Sequence, residues 1–165
     1  SDMIRRILPH PWLTLLLTVV WVMLMNEISP GYVVFGLILG ILVPLFTAAY
    51  WPDRPMFRNP VKAAGYVLLV LWDIVIANVT VAKIVLFKPN ADLRPAWITV
   101  PIDLRRPEAI TLLAGTITMT PGTVSSDIAA DGRSILVHCL HAPDPDATVA
   151  EIKHRYERRL KEIFE

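Results

Sequence analysis

The sequence predicts a two-part membrane protein: a membrane α-helical N-terminal part with three hydrophobic helices, and a small C-terminal α/β soluble domain. The chain of 165 residues is 54% hydrophobic and only 19% charged, whereas soluble domains carry about 25% charged residues. The charges are unevenly placed, because residues 1–87 hold six Lys/Arg and four Asp/Glu while residues 88–165 hold ten and eleven. We therefore predict a membrane domain over 1–87, a linker over 88–95 and a soluble domain over 96–165. The net charge of +1 favours no nucleic-acid partner.

Three apolar segments predict the helices of the membrane domain, at about residues 11–28, 31–50 and 61–87. The first has 14 uncharged residues from Trp12 to Met25. As a helix it would be about 21 Å long, shorter than a hydrocarbon core of about 30 Å. The second has 20 uncharged residues and is long enough to cross. Only the hexapeptide NEISPG separates these two, so we expect a helical hairpin.

The charges leave the orientation of the chain in the membrane open. Arg5 and Arg6 precede the first helix, and three more basic residues lie in or beside the segment WPDRPMFRNP, whose prolines prevent a continuous helix. With three full crossings, these five basic residues would oppose five between Lys83, near the end of the third helix, and Arg106. The positive-inside rule then favours neither side.

Beyond residue 87 the pattern becomes that of an α/β domain. The segment AWITVPID is rich in β-branched residues and predicts a strand over 96–103. Pro107 and Glu108 open a predicted helix over 106–119. Two strands follow around Asp131-Gly132, a strong hairpin signal. The order β-α-β-β-α is that of a truncated ferredoxin-like unit.

The last predicted helix is amphipathic and is expected to pack on the sheet. Thr148 and Glu151 are expected to form a capping box at its start. Its charged residues, such as the pair Glu157–Lys161, are expected to lie on the solvent side. The apolar stripe that faces the sheet consists of Val149, Ile152, Tyr156, Leu160 and Ile163.

The sequence shows no convincing catalytic or metal-binding pattern. Ser125, Ser126, Asp127 and His138 could form a triad on paper, but no nucleophile elbow surrounds either serine. In the segment HCLH, His138 and Cys139 would point to opposite faces of a strand and would not converge on a metal ion. We therefore expect no enzyme, no cofactor and no metal site.

An aspartate in the third hydrophobic helix needs an explanation. A carboxylate at mid-bilayer costs several kcal/mol unless it is paired or faces water, and Asp73 lies near the middle of the segment. Lys83 is about 15 Å further along the helix and Asn78 about 140° around it, so neither is expected to pair with Asp73. Lys83 is expected to extend toward the membrane interface.

Three interpretations of Asp73 stay open. It pairs with a group on another helix, preferably of another chain, and holds an assembly together; it belongs to a proton or ion path; or the helix starts later and Asp73 caps it near an interface. Intramembrane ionisable residues are functional candidates by default. Three helices with one carboxylate are too few to enclose a polar path, which indicates a larger complex.

The run ITMTPGT, after the predicted helix at 106–119, has a structural interpretation. Pro121 and Gly122 would end that helix and turn the chain, since glycine takes positive φ freely. Thr120 and Thr123 can bond the backbone groups that the turn frees. We favour a structural corner over a binding site.

Two stretches make the sequence resemble a known family: ANVTVAKIVL, in the third helix, and ITMTPGTVSSDIAADGRSILVHCL, in the C-terminal domain. The chain resembles the E subunits of the Mrp-type multisubunit monovalent cation (Na+)/H+ antiporters of bacteria, over essentially its whole length. Met119 stands where the family usually has Leu, and Asp73 falls where family members tend to carry an acidic residue. The motif residues are Thr118, Thr120, Pro121, Gly122, Thr123, Asp131, Gly132 and His138.

The resemblance implies a non-catalytic accessory subunit of a complex in the bacterial cytoplasmic membrane. The large subunits of such a complex are similar to the antiporter-like subunits of respiratory complex I, and exchange sodium or other alkali cations for protons. The implied partners are other membrane subunits and the lipid bilayer. The implied role is assembly and full activity rather than the main ion path, with a soluble tail on the cytoplasmic side. The alternative is a stand-alone membrane-anchored α/β module that binds a small ligand or a regulatory partner.

Overall fold

The structure is a computed structural model that describes residues 7–50 and 58–165. Arg5, Arg6 and most of the proline-rich linker, which contribute to the predicted charge count, lie outside the described residues. The chain divides into two compact units, Ser1–Arg54 and Pro55–Glu165. The first unit is a helical hairpin, and the second combines the third apolar helix with the α/β region.

Helices α1 (Pro11–Met25) and α2 (Pro30–Thr47) form the hairpin. Helix α1 ends before the predicted limit of residue 28, because Asn26 adopts a left-handed conformation with a φ of 52°. Ser29 caps the start of α2 with its side-chain oxygen. A 3₁₀ turn (Ala48–Tyr50) then extends α2 to the predicted limit of residue 50.

Small residues bring the two helices of the hairpin close together. Gly36, Gly40 and Pro44, spaced four residues apart, are buried on one face of α2. Opposite them lie Thr14 and Thr18, the buried residues of α1. The Thr18 hydroxyl donates to the Thr14 carbonyl at 2.8 Å and lies 3.3 Å from the Gly36 carbonyl. Such small-residue stripes let helix backbones approach closely in apolar surroundings, where dispersion and hydrogen bonds replace the hydrophobic effect.

Helix α3 (Pro60–Phe87) is the longest element, with 28 residues, or about 42 Å at the helical rise per residue. Asn59 caps its start by accepting a hydrogen bond from the Lys62 N–H. Of the described helices, α3 and Pro30–Tyr50 are long and apolar enough to cross a membrane, whereas α1 is a shorter apolar helix.

The α/β region contains a three-stranded antiparallel sheet in the order β1-β3-β2. Strand β3 (Ser134–Cys139) is central and pairs with β1 (Ala96–Pro101) and β2 (Thr123–Ile128). Helix α4 (Pro107–Met119) connects β1 to β2. The described chain thus has the predicted coarse architecture, apolar N-terminal helices followed by a small region with an antiparallel sheet.

The C-terminal helix consists of three consecutive segments. Helix α5 (Pro145–Ile152) runs into a π-helical turn (Lys153–Glu157) and then into α6 (Arg158–Phe164). The predicted capping box at Thr148 is wrong, because the helix begins earlier. Asp144 caps it instead, with proline in the first helical turn.

The C-terminal helix buries its predicted apolar stripe. It also buries a carboxylate that the prediction left in solvent, since Glu157 is only 4% exposed. The Glu157 carboxylate accepts a hydrogen bond from the Asp103 N–H and forms an ion pair with Lys153 at 2.9 Å. The predicted solvent-side pair of Glu157 with Lys161 is therefore wrong. The buried members of the stripe are Ile152, Tyr156, Leu160 and Ile163.

The core of the second unit lies between the sheet, α4 and the C-terminal helix, and it includes part of α3. Tyr66 and Val70 of α3 are buried in one cluster with residues of the sheet and of both other helices. Part of α3 is therefore a structural partner of the α/β region, although the sequence grouped it with the hairpin. The fully buried side chains at the centre are Val100, Leu113, Ile135, Val137 and Leu160.

Candidate functional site around Asp73

Asp73 lies on the buried face of α3 and is 8% exposed. Two donors on the C-terminal helix hold its carboxylate. The guanidinium of Arg155 binds both oxygens, with Nε 2.6 Å from Oδ2 and Nη2 2.5 Å from Oδ1. The hydroxyl of Tyr156 donates to Oδ2 at 2.7 Å. A bidentate Arg–carboxylate pair is among the strongest and most directional ion pairs available to side chains, and here it is contained within one chain.

The π-helical turn explains how two adjacent residues reach the same carboxylate. In a regular α-helix, neighbouring side chains point about 100° apart. Arg155 and Tyr156 lie in the π-helical turn Lys153–Glu157. The extra residue of such a turn widens the helix locally and redirects side chains, which is why π turns are frequent at functional positions.

Both donors to Asp73 keep their protons over the physiological pH range. The hydrogen bond to Asp73 raises the pKa of the Arg155 guanidinium further above its already high ordinary value. Burial raises the pKa of Tyr156 from 10.0 to about 12, and its hydrogen bond to Asp73 acts in the same direction. The site therefore combines one carboxylate with two donors that stay protonated at physiological pH.

A second tyrosine lines the same interface, about two helical turns before Asp73. The ring of Tyr66 meets the ring of Tyr156 edge to face, with centroids 6.5 Å apart and an interplanar angle of 84°. Its hydroxyl shares a 2.8 Å hydrogen bond with the hydroxyl of Thr116 on α4. Edge-to-face pairs add about 0.5–1.5 kcal/mol beyond the area they bury. Three helices, α3, α4 and the C-terminal helix, are thus joined by buried polar contacts.

Charged side chains also fasten the start of α3 to the C-terminal helix. Lys62 lies 2.8 Å from the carboxylate of Glu162, and this hydrogen bond holds the pKa of Glu162 below its ordinary value. Both side chains are close to half exposed. Such surface pairs contribute little to stability, so this contact orients the helix rather than stabilising it.

The other two predicted intramembrane polar residues do not join the site. The Asn78 side chain donates to the Ile74 carbonyl of its own helix at 2.8 Å. Lys83 is exposed and makes no ion pair within the described part of the chain. Neither contacts Asp73, which agrees with the spacing argument from the sequence.

The TMTPGT segment forms a corner that packs on α3. Gly122 has a φ of +91°, and a Cβ at this position would lie 3.2 Å from the Val81 side chain. The Thr123 hydroxyl donates to the carbonyls of Ile117 and Thr120, at 2.6 and 3.0 Å. Thr120 donates to the Thr116 carbonyl in the preceding turn. The bond to Ile117 gives a partner to one of the last carbonyls of α4, which have none within the helix.

The remaining motif residues serve the hairpin between β2 and β3. The Thr118 hydroxyl accepts a hydrogen bond from the Ser125 N–H at 3.1 Å. Asp131 accepts from the Arg133 N–H, and Gly132 takes a φ of +68° in the turn. His138 lies against the ring of Trp97, with ring centroids 4.8 Å apart. Each of these contacts lies within the α/β region.

A cavity of about 480 Å³ separates part of this corner from α3. Its lining includes Asp73, Arg155 and Tyr156, together with the segment 120–123 and His141. Within residues 7–50 and 58–165, no group of three or more His, Cys, Asp or Glu side chains could hold a metal ion. Cys139 is buried in the sheet, and burial raises the pKa of its thiol.

Sequence reasoning missed Arg155, Glu157 and Tyr66. Tyr156 could have been identified, because a tyrosine on the apolar stripe of an amphipathic helix buries a hydroxyl that needs a hydrogen-bond partner. In the structure that partner is Asp73. No feature of the sequence predicts the π turn, which depends on tertiary packing. The structure agrees with the first interpretation in pairing Asp73 with a group on another helix, but that helix belongs to the same chain rather than to another chain.

Comparison with known proteins decides the family. The sequence family described as Na+/H+ ion antiporter subunit (MNHE) matches residues 14–163, nearly the whole chain. The chain belongs to this family. The E subunit of a probable K(+)/H(+) antiporter of Rhizobium meliloti is 31% identical, and the match covers 98% of this chain and 99% of that protein. The E subunit of the Na(+)/H(+) antiporter of Alkalihalophilus pseudofirmus is 27% identical, over 92% of this chain and 95% of that protein.

A solved structure supports the fold of this antiporter subunit. A chain of the membrane-bound sulfane sulfur reductase, an archaeal respiratory membrane complex, superimposes with a TM-score of 0.73. It is 23% identical, and the match covers 93% of this chain and 98% of that one. At this identity the similarity shows the fold alone.

The predicted family is therefore confirmed, and with it the predicted function as the E subunit of a multisubunit cation/proton antiporter. The predicted location in the bacterial membrane and the predicted partnership with other membrane subunits are confirmed as well. The curated relatives are named for either potassium or sodium. The family thus does not fix the transported cation.

Proposed function

We propose that this protein is a non-catalytic assembly subunit of the antiporter, which holds its α/β domain against the membrane part of the complex. The observation that carries the proposal is the state of Asp73. Three hydrogen bonds from Arg155 and Tyr156 occupy its carboxylate. A residue that relays protons or cations must exchange partners during turnover, and Asp73 would have to break a bidentate ion pair to do so.

The finer architecture is part of the proposal. We take residues 1–87 as the membrane part with three apolar helices, 88–95 as a linker and 96–165 as a truncated ferredoxin-like unit on the cytoplasmic side. The sheet order β1-β3-β2 supports the ferredoxin-like assignment, because that fold places its third strand between the first two. The hydrogen bonds between Asp73 and the C-terminal helix support a fixed attachment of this unit to α3.

The test is Asp73→Asn in the complete antiporter, produced together with all its membrane subunits. We expect the yield of assembled complex to fall several-fold, because an amide cannot hold the guanidinium fork. Transport per assembled complex should stay unchanged. The exposed Asp92 provides the matched control, since Asp92→Asn should leave both quantities at the wild-type level.

Two results would refute the proposal. Normal assembly with lost transport per complex would place Asp73 in an ion path. Purification of the tagged wild-type chain as a monodisperse species without larger hydrophobic polypeptides would favour the stand-alone module.

A further inference from the structure

Helix α3 is apolar on two opposite faces, and the α/β region covers one of them. The inner face carries Tyr66, Val70 and Asp73, all buried against the α/β region. On the outer face every side chain is uncharged and exposed over the full length of the helix. That face consists of Ala64, Leu68, Leu71, Val75, Val79, Ala82 and Leu86.

The α/β region accompanies α3 from end to end. Lys62 binds Glu162 at the start, Asp73 binds Arg155 in the middle, and Gly122 meets Val81 further along. Beyond the last turn, Lys88 lies 2.9 Å from His141. From Lys62 to Lys88 the contacts extend over about 39 Å of helix axis, which exceeds the thickness of a hydrocarbon core of about 30 Å.

A membrane crossing by α3 conflicts with this arrangement. It would place the α/β region beside the helix at the depth of the acyl chains. Strands β1 and β2 are edges of an open sheet, and open sheet edges do not occur in lipid because their backbone groups would lack partners. Each charged side chain moved to the bilayer centre would add a further desolvation cost.

We propose that α3 lies in the plane of the membrane. Its outer face enters the boundary between headgroups and acyl chains, and its inner face carries the α/β region on the aqueous side. Helices of this kind bury their apolar face about 5–10 Å deep. Helices α1 and α2 then make the crossings, and the bilayer thins locally around α1 because this helix is shorter than the hydrocarbon core. The exposed Lys83, at the flank of the helix, can reach lipid headgroups.

The distribution of charge supports this topology independently. Two crossings place the sequence before α1, α3 and the α/β region on the same side, and residues 26–29 on the other. Among the described residues, the basic side chains that follow the crossings most closely, Arg58 and Lys62, then lie on one side, and the one charge in the short connection is Glu27. The positive-inside rule, undecided for three crossings, now assigns the basic side to the cytoplasm.

The experiment places single cysteines in the complete antiporter, in sealed right-side-out and inside-out vesicles, and labels them with a membrane-impermeant maleimide. Val61→Cys and Phe87→Cys mark the two ends of α3, and Ile28→Cys marks the hairpin connection; all three positions are exposed. The buried native Cys139 can stay in place. We expect both ends of α3 to be labelled from one face, and Ile28→Cys from the opposite face. Labelling of the two ends from opposite faces would overturn the proposal.

Spin labels on the outer face measure depth directly. Labels introduced at Leu68, Leu71 and Leu86 should all report shallow burial in lipid, at depths within about 5 Å of each other. A crossing helix would instead separate Leu68 and Leu86 by about 27 Å along its axis. Such a spread in depth would overturn the proposal. So would a lack of contact between the labels and oxygen dissolved in the lipid, which is the result expected if another subunit covers this face.

Discussion

A carboxylate in an apolar helix is stable only where donors surround it. Asp73 meets this requirement through Arg155 and Tyr156, on a helix more than eighty residues later in the chain. The contact joins α3 to the C-terminal helix at the middle of α3. At the scale of single residues it acts as an attachment point, which is why its loss is expected to affect assembly before transport.

The protonation of Tyr156 reports on this attachment. Its pKa in the folded chain is about 12, above the ordinary 10.0, so the folded state binds the proton more tightly than the unfolded state does. The stability that this contributes is complete below the ordinary pKa and is lost as the pH rises through the folded value. Tyrosinate formation can be followed by ultraviolet absorbance as the pH is raised. The wild type should therefore show one more ionisation above pH 10.0 than Tyr156→Phe does.

The same titration in Asp73→Asn separates the causes of the shift. Removing the carboxylate should lower the pKa of Tyr156, because its hydrogen bond to Asp73 raises that pKa. Burial remains in this variant, so the value should stay above 10.0. An unchanged late ionisation in Asp73→Asn would contradict the contact.

At the residue scale, the sequence shows which side chain needs a partner but not which residues supply it. The position of Asp73 in an apolar segment predicted that it needs a partner, and the helical geometry correctly excluded Asn78 and Lys83. It could not identify Arg155, because an arginine among alternating charges on an amphipathic helix is typical of a solvated face. Glu157 was misplaced for the same reason. Its burial accompanies a π turn that residue spacing does not reveal.

At the scale of elements, the hairpin depends on close approach between α1 and α2. A Cβ added at Gly40 would lie 2.8 Å from the backbone oxygen of Thr14 and 3.0 Å from the Thr18 hydroxyl. The backbone cannot move aside as a flexible side chain can. The helices must therefore separate, and their interface must lose contacts.

Gly40→Ala is expected to destabilise the hairpin by about 1–3 kcal/mol, the usual cost of overpacking. The measurement is the melting temperature of the detergent-solubilised chain. Gly65→Ala is the matched control, because a Cβ there meets nothing within 4 Å and alanine favours a helix by about 0.5–1 kcal/mol. Equal melting temperatures for the two variants would show that the close approach does not contribute to stability.

The sequence predicts the type of each helix and strand better than it predicts which face of the element packs against the rest of the protein. The sequence placed three apolar helices and the strand–helix–hairpin–helix order, with limits that differ from the structure by a few residues where Asn26 and Asp144 act as caps. It could not show that α3 packs on the α/β region. A helix that is apolar all round has no periodicity to separate a face that contacts protein from a face that contacts lipid. In the sequence, therefore, Val70 cannot be distinguished from Leu68 or Leu71.

At the scale of the whole molecule, the grouping of α3 with the α/β region changes the picture of the subunit. A hairpin forms one compact unit, and a long helix with an attached α/β domain forms the other. The second unit presents an exposed apolar face along α3. Such a unit is suited to a membrane surface, where it can hold neighbouring subunits of the antiporter in place.

The pairing of Asp73 with Arg155 is the contact on which the attachment of the α/β region to α3 most depends, and a double-mutant cycle measures its coupling directly. The free energy of unfolding of the detergent-solubilised chain is compared for wild type, Asp73→Ala, Arg155→Ala and the double variant. Hydrogen bonds to charged groups contribute about 1.5–3 kcal/mol. The Arg155 side chain is 36% exposed and screening by water weakens the pair, so we expect a coupling near the lower limit of that range.

The exposed pair of Lys62 and Glu162 serves as the control for this cycle and should show weak coupling. A coupling between Asp73 and Arg155 that clearly exceeds the control is the predicted result. Additive effects of Asp73→Ala and Arg155→Ala, within about 0.5 kcal/mol, would contradict the conclusion that this contact fastens the α/β region to α3.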